Sequence, residues 1–151
     1  MPFETGPYLK SAVFCETVLR EADGVLSLIR LVDRLTISAR GPSPPDTMPK
    51  TPYHITAVIM LISGEARGRH EIKIEPEEPS GLKTKPPFLA TVQMEGEDRG
   101  ANVILDMHLT FEMEGLYWFY IYFDDTLISK MPFRVMYARV STGTQRPPTS
   151  S

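Results

Sequence analysis

The chain has 151 residues, 42% hydrophobic and 23% charged, with a formal net charge of −3 and a pI near 5.6. This length suffices for one domain with its own apolar core, and the negative charge argues against a surface for nucleic acid or anionic membranes. The single cysteine, Cys15, excludes an intrachain disulfide, and no apolar run reaches the roughly 20 residues of a membrane helix, so we expect a soluble, cytoplasmic protein.

Apolar and polar residues alternate along most of the chain, which predicts β-strands, because successive side chains of a strand point to opposite faces. Eight segments follow this pattern: residues 8–15, 25–38, 53–63, 70–75, 88–95, 102–112, 116–123 and 131–139. In the second segment the alternation slips near residues 30–33, which predicts a bulge or bend. About eight short strands at regular spacing predict an all-β, antiparallel β-sandwich.

Residues typical of turns predict the connections between these strands. They are Asp23-Gly24, residues 64–69 (a hairpin loop), residues 96–100 and Asp124-Asp125. Residues 41–52 contain five prolines, which predicts a semi-rigid crossover that joins no ladder. We expect one domain, residues 1–140, followed by a disordered polar tail, residues 141–151.

A glycine two residues before a tyrosine, Gly115 and Tyr117, opens the aromatic segment 116–123. This pattern resembles the corner of immunoglobulin-like sandwiches, in which the tyrosine hydroxyl bonds the backbone a few residues upstream. Met113 stands where an acidic residue is usual in that corner, and no cysteine pair accompanies it. We expect an immunoglobulin-like sandwich, with another sandwich or a small barrel as the alternative.

If Phe119 faces the core, three large aromatic side chains of the same strand face outward. One interpretation is that a neighbouring loop or the proline-rich crossover covers them. The other is a contact surface, since Trp and Tyr are enriched where partners dock, with arginines on adjacent strands stacking beside them. The predicted interaction surface comprises Trp118, Tyr120, Tyr122, Arg30, Arg34 and Arg134.

Catalytic and metal-binding patterns are sparse. Asp106 and His108 share one face of a predicted strand, but a zinc site needs three or four converging ligands, which His54 or His70 would have to supply. Cys15 has no base nearby in the sequence and is expected to be a structural thiol. No nucleophile elbow or phosphate-binding glycine loop is present in the sequence. We therefore expect no enzyme, no metal and no cofactor.

Two stretches resemble a known family. They are AVFCETVLREADGVLSLIRLVDR at residues 12–34 and GLYWFYIYFDDTLISKMPFRV at residues 115–135. The motifs within them are Cys15-Glu16, the acidic-Gly pair Asp23-Gly24, the strand 26–33, the Gly-x-Tyr-x-Phe motif 115–119 and the Pro-x-x-V strand 132–135. The chain is similar to an uncharacterised bacterial family of small β-sandwich proteins, a domain of unknown function. The resemblance implies a bacterial sandwich and gives no activity.

The functional expectation is a non-enzymatic protein-interaction or assembly module that associates with itself or with a protein partner, and with neither nucleic acid nor membrane. The family type suggests an accessory subunit of a bacterial phage-defence or phage-like assembly. The alternative is a small-ligand or carbohydrate binder that stacks its ligand on the outward aromatic rings. A third hypothesis, a metal enzyme, requires Asp106 and His108 to meet His54 or His70 across the sheet.

Overall fold

The structure is a computed structural model that describes residues 4–142, and it confirms the all-β, sandwich-like fold. The strands are β1 (Tyr8–Arg20), β2 (Leu26–Leu31), β3 (Arg34–Gly41), β4 (Thr51–Glu77), β5 (Phe88–Phe111), β6 (Gly115–Phe123) and β7 (Thr126–Ser141). Within residues 4–142 the chain forms no helix, and so none that could cross a membrane.

The hairpin between β1 and β2 forms at the predicted Asp23-Gly24 turn. Gly24 has a φ of 87°, a conformation that costs glycine little, and the Val25 N–H donates to the Asp23 carboxylate at 3.1 Å. The predicted irregularity near residues 30–33 is also present. Arg30 has a φ of 59°, β2 ends at Leu31, and β3 begins at Arg34, so the predicted segment 25–38 is two strands.

Strands β4 and β5 are far longer than the sequence indicates. Residues 64–69 and 96–100, predicted to be a loop and a break, remain within paired strands, so this prediction is wrong. The register shifts at Gly64, whose φ is 58°, and Gly96 and Glu97 opposite it also have positive φ. The turn residues therefore produce bulges that bend a continuous ladder and do not end it.

The bend in β4 and β5 gives the molecule two layers. The overall strand order is β2-β1-β4-β6-β7-β3, and β5 pairs with β4 along both of its halves. The first half of β4 pairs with β1, and its last residues, Ile72–Glu77, pair with β6. The first layer therefore contains β2, β1 and the first half of β4, and the second contains the other half of β4 with β6, β7 and β3.

One strand pair departs from the antiparallel prediction. β3 runs parallel to β7 from Arg34 opposite Arg134 to Gly41 opposite Ser141. The two parallel strands are not consecutive in the chain, since β4, β5 and β6 come between them. Residues 32–33 lead from β2 into β3, and residues 42–50, the part of the predicted proline-rich crossover outside the strands, lead from β3 to β4. The predicted disordered tail began at residue 141; β7 ends at Ser141, and residues 143–151 lie outside the described residues.

Aromatic rings from both layers form the centre of the core. Phe14 of β1 packs against Phe119 of β6 and Phe133 of β7, with ring centroids 5.0 and 5.6 Å apart. Phe133 also stacks on Phe111 of β5 at 5.7 Å. Complete burial of such a side chain stabilises the fold by about 1.5–3 kcal/mol, so these contacts hold the two layers together and fix which face of β6 points inward.

Candidate interaction surface

The Tyr117 corner fixes the orientation of β6. The Tyr117 hydroxyl donates to the Met113 carbonyl at 2.6 Å, as the corner motif predicts, and burial is the main reason why the pKa of this hydroxyl is raised. Phe119, Ile121 and Phe123 are buried beside it. Because side chains alternate along a strand, Trp118, Tyr120 and Tyr122 lie on the outer face of the second layer, where each is half-buried.

A lysine ammonium lies over each of these three rings. Lys130 is 4.6 Å from the ring centroid of Trp118, Lys83 is 4.5 Å from that of Tyr120, and Lys73 is 4.7 Å from that of Tyr122. Cation–π pairs at exposed sites contribute about 0.5–1 kcal/mol each. We call the outer surface formed by these three aromatic residues and three lysines the aromatic face.

The structure brings two of the three predicted arginines to the aromatic face. Arg134 lies opposite Leu116 on the outer side of β7, two residues along from the Trp118–Pro132 pair, and Arg34 lies beside Arg134 on β3. Arg30 is elsewhere: it is on β2, two strands beyond β4, and its guanidinium bonds Glu16 at 2.8 Å. Arg30 therefore does not belong to the aromatic face.

The proline-rich crossover does not lie over the aromatic rings. It packs at the other end of β7, where the Tyr137 hydroxyl donates to the Pro45 carbonyl and Arg139 contacts Pro44 and Asp46. The segment that reaches the aromatic face is the connection between β4 and β5, through Lys83. The Lys83 ammonium also bonds Glu75 at 2.9 Å, which raises the pKa of this lysine.

The charged groups of the aromatic face that form no ion pair lie on opposite sides of β6. On the β4 side of β6, Lys73 pairs with Asp125 and Glu75 pairs with Lys83, which leaves Glu77. On the other side, Lys130 and Arg134 project from β7. Within residues 4–142, Glu77, Lys130 and Arg134 form no ion pair. The hydrogen bond that Glu77 accepts from the Tyr120 hydroxyl is the main reason why the pKa of Tyr120 is raised. Glu77 on the β4 side and Lys130 with Arg134 on the β7 side are therefore the charges open to a partner.

The residues of the metal hypothesis come together only in part. His54 stacks on His108 with ring centroids 4.5 Å apart, and Asp106 accepts a hydrogen bond from Thr56 at 2.9 Å and lies 3.6 Å from His54. No group of three His, Cys, Asp or Glu side chains within residues 4–142 is arranged to hold a metal ion. Cys15 is fully buried, and burial is the main reason why the pKa of its thiol is raised.

His70 lies apart from those residues and holds the turn between β6 and β7. Its Nδ1 bonds the Asp124 carboxylate and its Nε2 bonds the Arg67 carbonyl, so both nitrogens face acceptors. The bond to Asp124 is the main cause of the raised pKa of His70. The Asp124 carboxylate also accepts the Glu71 N–H, the first cause of its lowered pKa. With both nitrogens occupied, His70 is a structural clip.

Sequence reasoning missed the lysines of the aromatic face. The Asp124-Asp125 turn pairs Phe123 with Thr126 and so indicates that β7 lies beside β6, but an uninterrupted hairpin register would place Lys130 opposite the inward-facing Phe119. The register shift between Ile121 and Tyr122 then places Lys130 opposite Tyr120. Lys83 lies in the connection between β4 and β5, and no pattern in the sequence predicts which surface that connection contacts.

Comparisons with known proteins identify the family and leave the activity open. No curated protein is significantly similar to the chain. Among solved structures, the β-glucosidase from Listeria innocua in complex with glucose matches 84% of this chain with a TM-score of 0.43 and 11% identity. The chain spans only 16% of that enzyme's length, and so weak a likeness carries no argument about function. A sequence profile matches residues 10–136, most of the chain, and it shows that the protein belongs to DUF6941, a family of unknown function.

Proposed function

We propose that this chain is a non-enzymatic interaction module that assembles with a second copy of itself through the aromatic face. The observation that carries the proposal is the arrangement across β4, β6 and β7: an acidic group, a row of large aromatic rings, and basic groups, with neither the acidic group nor the basic groups in an ion pair within residues 4–142. Aromatic residues dominate the energetics of many protein interfaces. Complementary charges at the rim orient the two partners and accelerate their encounter.

The charge separation makes this face complementary to itself. A two-fold axis that runs along β6 between two facing copies places β4 of each copy over β7 of the other. Glu77 of one copy then lies near Arg134 and Lys130 of the second copy, and the Trp118 rings meet near the axis. Such an isologous contact closes after two subunits, so the expected assembly is a dimer that could serve as an accessory subunit of a larger bacterial system.

The side chains that could act as an acid, a base or a nucleophile, His70 and Cys15, have structural roles, which supports a non-enzymatic module. Both His70 nitrogens are bonded, and the Cys15 thiol is buried. The carbohydrate-binding alternative is weaker, because a sugar stacking on Trp118, Tyr120 or Tyr122 would have to compete with the lysine over each ring.

Light scattering on size-separated protein over a concentration series tests the proposal. We expect the wild type to be dimeric and Trp118→Ser to be monomeric. Leu19→Ser, which removes an apolar side chain that is 46% exposed on β1 of the first layer, is the matched control and should leave the dimer intact. Circular dichroism confirms that each variant is folded. A wild type that stays monomeric at every concentration would refute self-association.

A charge exchange tests the orientation of the two copies. Glu77→Arg and Arg134→Glu should each weaken the dimer, because each places like charges opposite each other. The double variant restores opposite charges across the two-fold axis and should recover dimerisation. Failure of the double variant to recover, with both single variants folded and dissociated, would eliminate this two-fold arrangement.

A further inference from the structure

Two strand edges face each other across an open groove between the layers. Strand β1 pairs with β2 only from Cys15 onward, and β7 pairs with β3 only from Arg134 onward. The earlier part of each strand borders a groove of about 480 Å³ whose wall includes Leu9, Ala12, Met131 and Pro132. We call this groove the seam. It is distinct from the aromatic face, which lies on the outer surface of the second layer.

Backbone groups of β1 point into the seam. The Phe14 carbonyl accepts a hydrogen bond from the Val32 N–H at 2.9 Å, so the polar groups of Phe14 point away from β4. Because these groups alternate in direction along a strand, the N–H and C=O of Ala12 point the same way. In the part of the chain that the structure describes, no strand lies beside Ala12 on that side.

The same reasoning applies to β7. The Arg134 N–H donates to the Asp33 carbonyl at 3.1 Å, which places its polar groups on the side away from β6. Lys130 and Pro132 share that direction. Proline has no N–H, which suits an edge position, so the Lys130 N–H and both carbonyls face the seam with no neighbouring strand among residues 4–142.

The chain itself shows what fits between the two edges. At one end of the seam, residues 32–33 pass between β1 and β7, and this single stretch of backbone bonds both walls: the Val32 N–H bonds β1, and the Asp33 carbonyl bonds β7. The gap therefore admits one extended chain that hydrogen-bonds both walls. Beyond residues 32–33 the gap between β1 and β7 continues past Ala12 and Lys130. There, among residues 4–142, no strand fills the gap to bond the backbone groups of these two residues.

We propose that the seam accepts one extended strand of another protein, with apolar side chains at alternate positions, as a continuation of the line of residues 32–33. Backbone hydrogen bonds to both edges would supply affinity, as in other cases of β-strand addition. The apolar lining from Leu9, Phe14 and Met131 would accept every second side chain. The available edge of β1 covers residues 9–13, with an irregularity between Leu9 and Ser11 at its far end, and is close in length to a usual strand of five to six residues.

A second copy of this chain is a poor source for the inserted strand. Its apolar alternating segments are already paired within the sheets. The connections at residues 42–50 and 78–87 and the segment after residue 142 all contain proline, which cannot donate a backbone hydrogen bond. We therefore assign the strand to a different protein. This inference goes beyond the proposed function, since it concerns a separate surface and a separate partner.

Amide hydrogen exchange measured by NMR on the full chain tests the groove before any partner is known. In the free protein, the Ala12 and Lys130 amides should exchange at least about 10-fold faster than the Val13 and Met131 amides, which point into the ladders with β4 and β6. Equal protection of all four amides, whether at low or at high protein concentration, would show that the seam is already filled and would overturn the proposal.

A synthetic peptide, acetyl-Lys-Thr-Val-Thr-Val-Thr-Lys-amide, then serves as the probe strand. At saturating concentration it should slow exchange at Ala12 and Lys130 by about 10-fold or more, and a version N-methylated at both valines should not. The Thr91 amide is the control: the Glu71 N–H opposite it bonds Asp124, so Thr91 points to the free outer edge of β5.

Protection of Thr91 equal to that of Ala12, or no protection of Ala12 and Lys130, would overturn the proposal. The probe experiment is repeated with Trp118→Ser. Because this variant removes the central ring of the proposed dimer contact and changes none of the residues that line the seam, seam binding should persist in it, and the two hypotheses can fail separately.

Discussion

The Tyr117 corner is the part of the fold whose energetic contribution can be worked out most directly. Tyr117→Phe removes the hydroxyl that donates to the Met113 carbonyl at 2.6 Å and keeps the ring, which packs edge-on against Phe111 at 4.9 Å. A hydrogen bond of this kind contributes about 0.5–1.5 kcal/mol, and the partly buried carbonyl left without its donor adds to the loss. We expect the free energy of unfolding to fall by about 1–2 kcal/mol.

Urea denaturation followed by circular dichroism measures this change, and thermal unfolding should show a midpoint lower by about 2–4 °C for each kcal/mol lost. Tyr120→Phe is the matched control, because it removes a hydroxyl from the outer face of the same strand and should cost less than about 0.5 kcal/mol. If Tyr117→Phe costs no more than Tyr120→Phe, the corner does not stabilise the fold and the reasoning is refuted.

Three further perturbations test other parts of the structure. Protonated His70 stabilises the fold fully below the ordinary histidine pKa of about 6.5, and this stability is lost as pH rises through the raised pKa of His70. The urea midpoint of the wild type should therefore decline over this pH range, whereas that of His70→Gln should stay constant. Parallel pH profiles of the two proteins would contradict the structural role of His70. Gly96→Ala should cost more than Gly68→Ala: both have positive φ, but only at Gly96 would the new methyl group collide with the Arg67 guanidinium. In each variant we expect the strained backbone to lower the free energy of unfolding by about 1–2 kcal/mol. Gly96→Ala should lose more, because the new methyl group displaces the hydrogen bond between Arg67 and the Glu95 carbonyl. Equal urea midpoints for the two variants would contradict this expectation. Lys130→Gln should increase acrylamide quenching of the only tryptophan, Trp118, and lower stability by about 0.5–1 kcal/mol, whereas Lys10→Gln should change neither.

Period-two alternation located the residues that lie in strands, because burial on one face of a sheet selects every second residue, but it divided them into eight segments where the structure has seven strands in residues 4–142. The orientation of β6 followed from the same rule: Phe119 and Ile121 are buried, and Trp118 and Tyr120 lie outside. What alternation does not report is whether a turn residue ends a ladder. Gly64 of β4 and Gly96 of β5 lie at the bend of one long hairpin. Only the pairing between these two strands distinguishes that bend from two separate turns.

The sequence also did not predict the order of the strands, which determines which of the predicted residues lie on the aromatic face. Arg30 and Arg34 are four residues apart in the sequence, yet the passage at residues 32–33 places them in different layers. Arg34 and Arg134 are a hundred residues apart and lie side by side. Contacts of this kind depend on the layer to which each strand belongs, which local patterns do not specify.

Lys130 links the two surfaces inferred for this protein. Its ammonium lies over Trp118 on the aromatic face, whereas its backbone N–H and C=O face the seam. Pro132 has the same dual position, since it lies opposite Trp118 on β6 and its carbonyl borders the seam. The stretch from Lys130 to Pro132 therefore belongs to both surfaces, through its side chains to the aromatic face and through its backbone to the seam. If occupation of the seam changes dimerisation through this shared stretch, linkage requires that dimerisation changes the affinity for the inserted strand by the same factor.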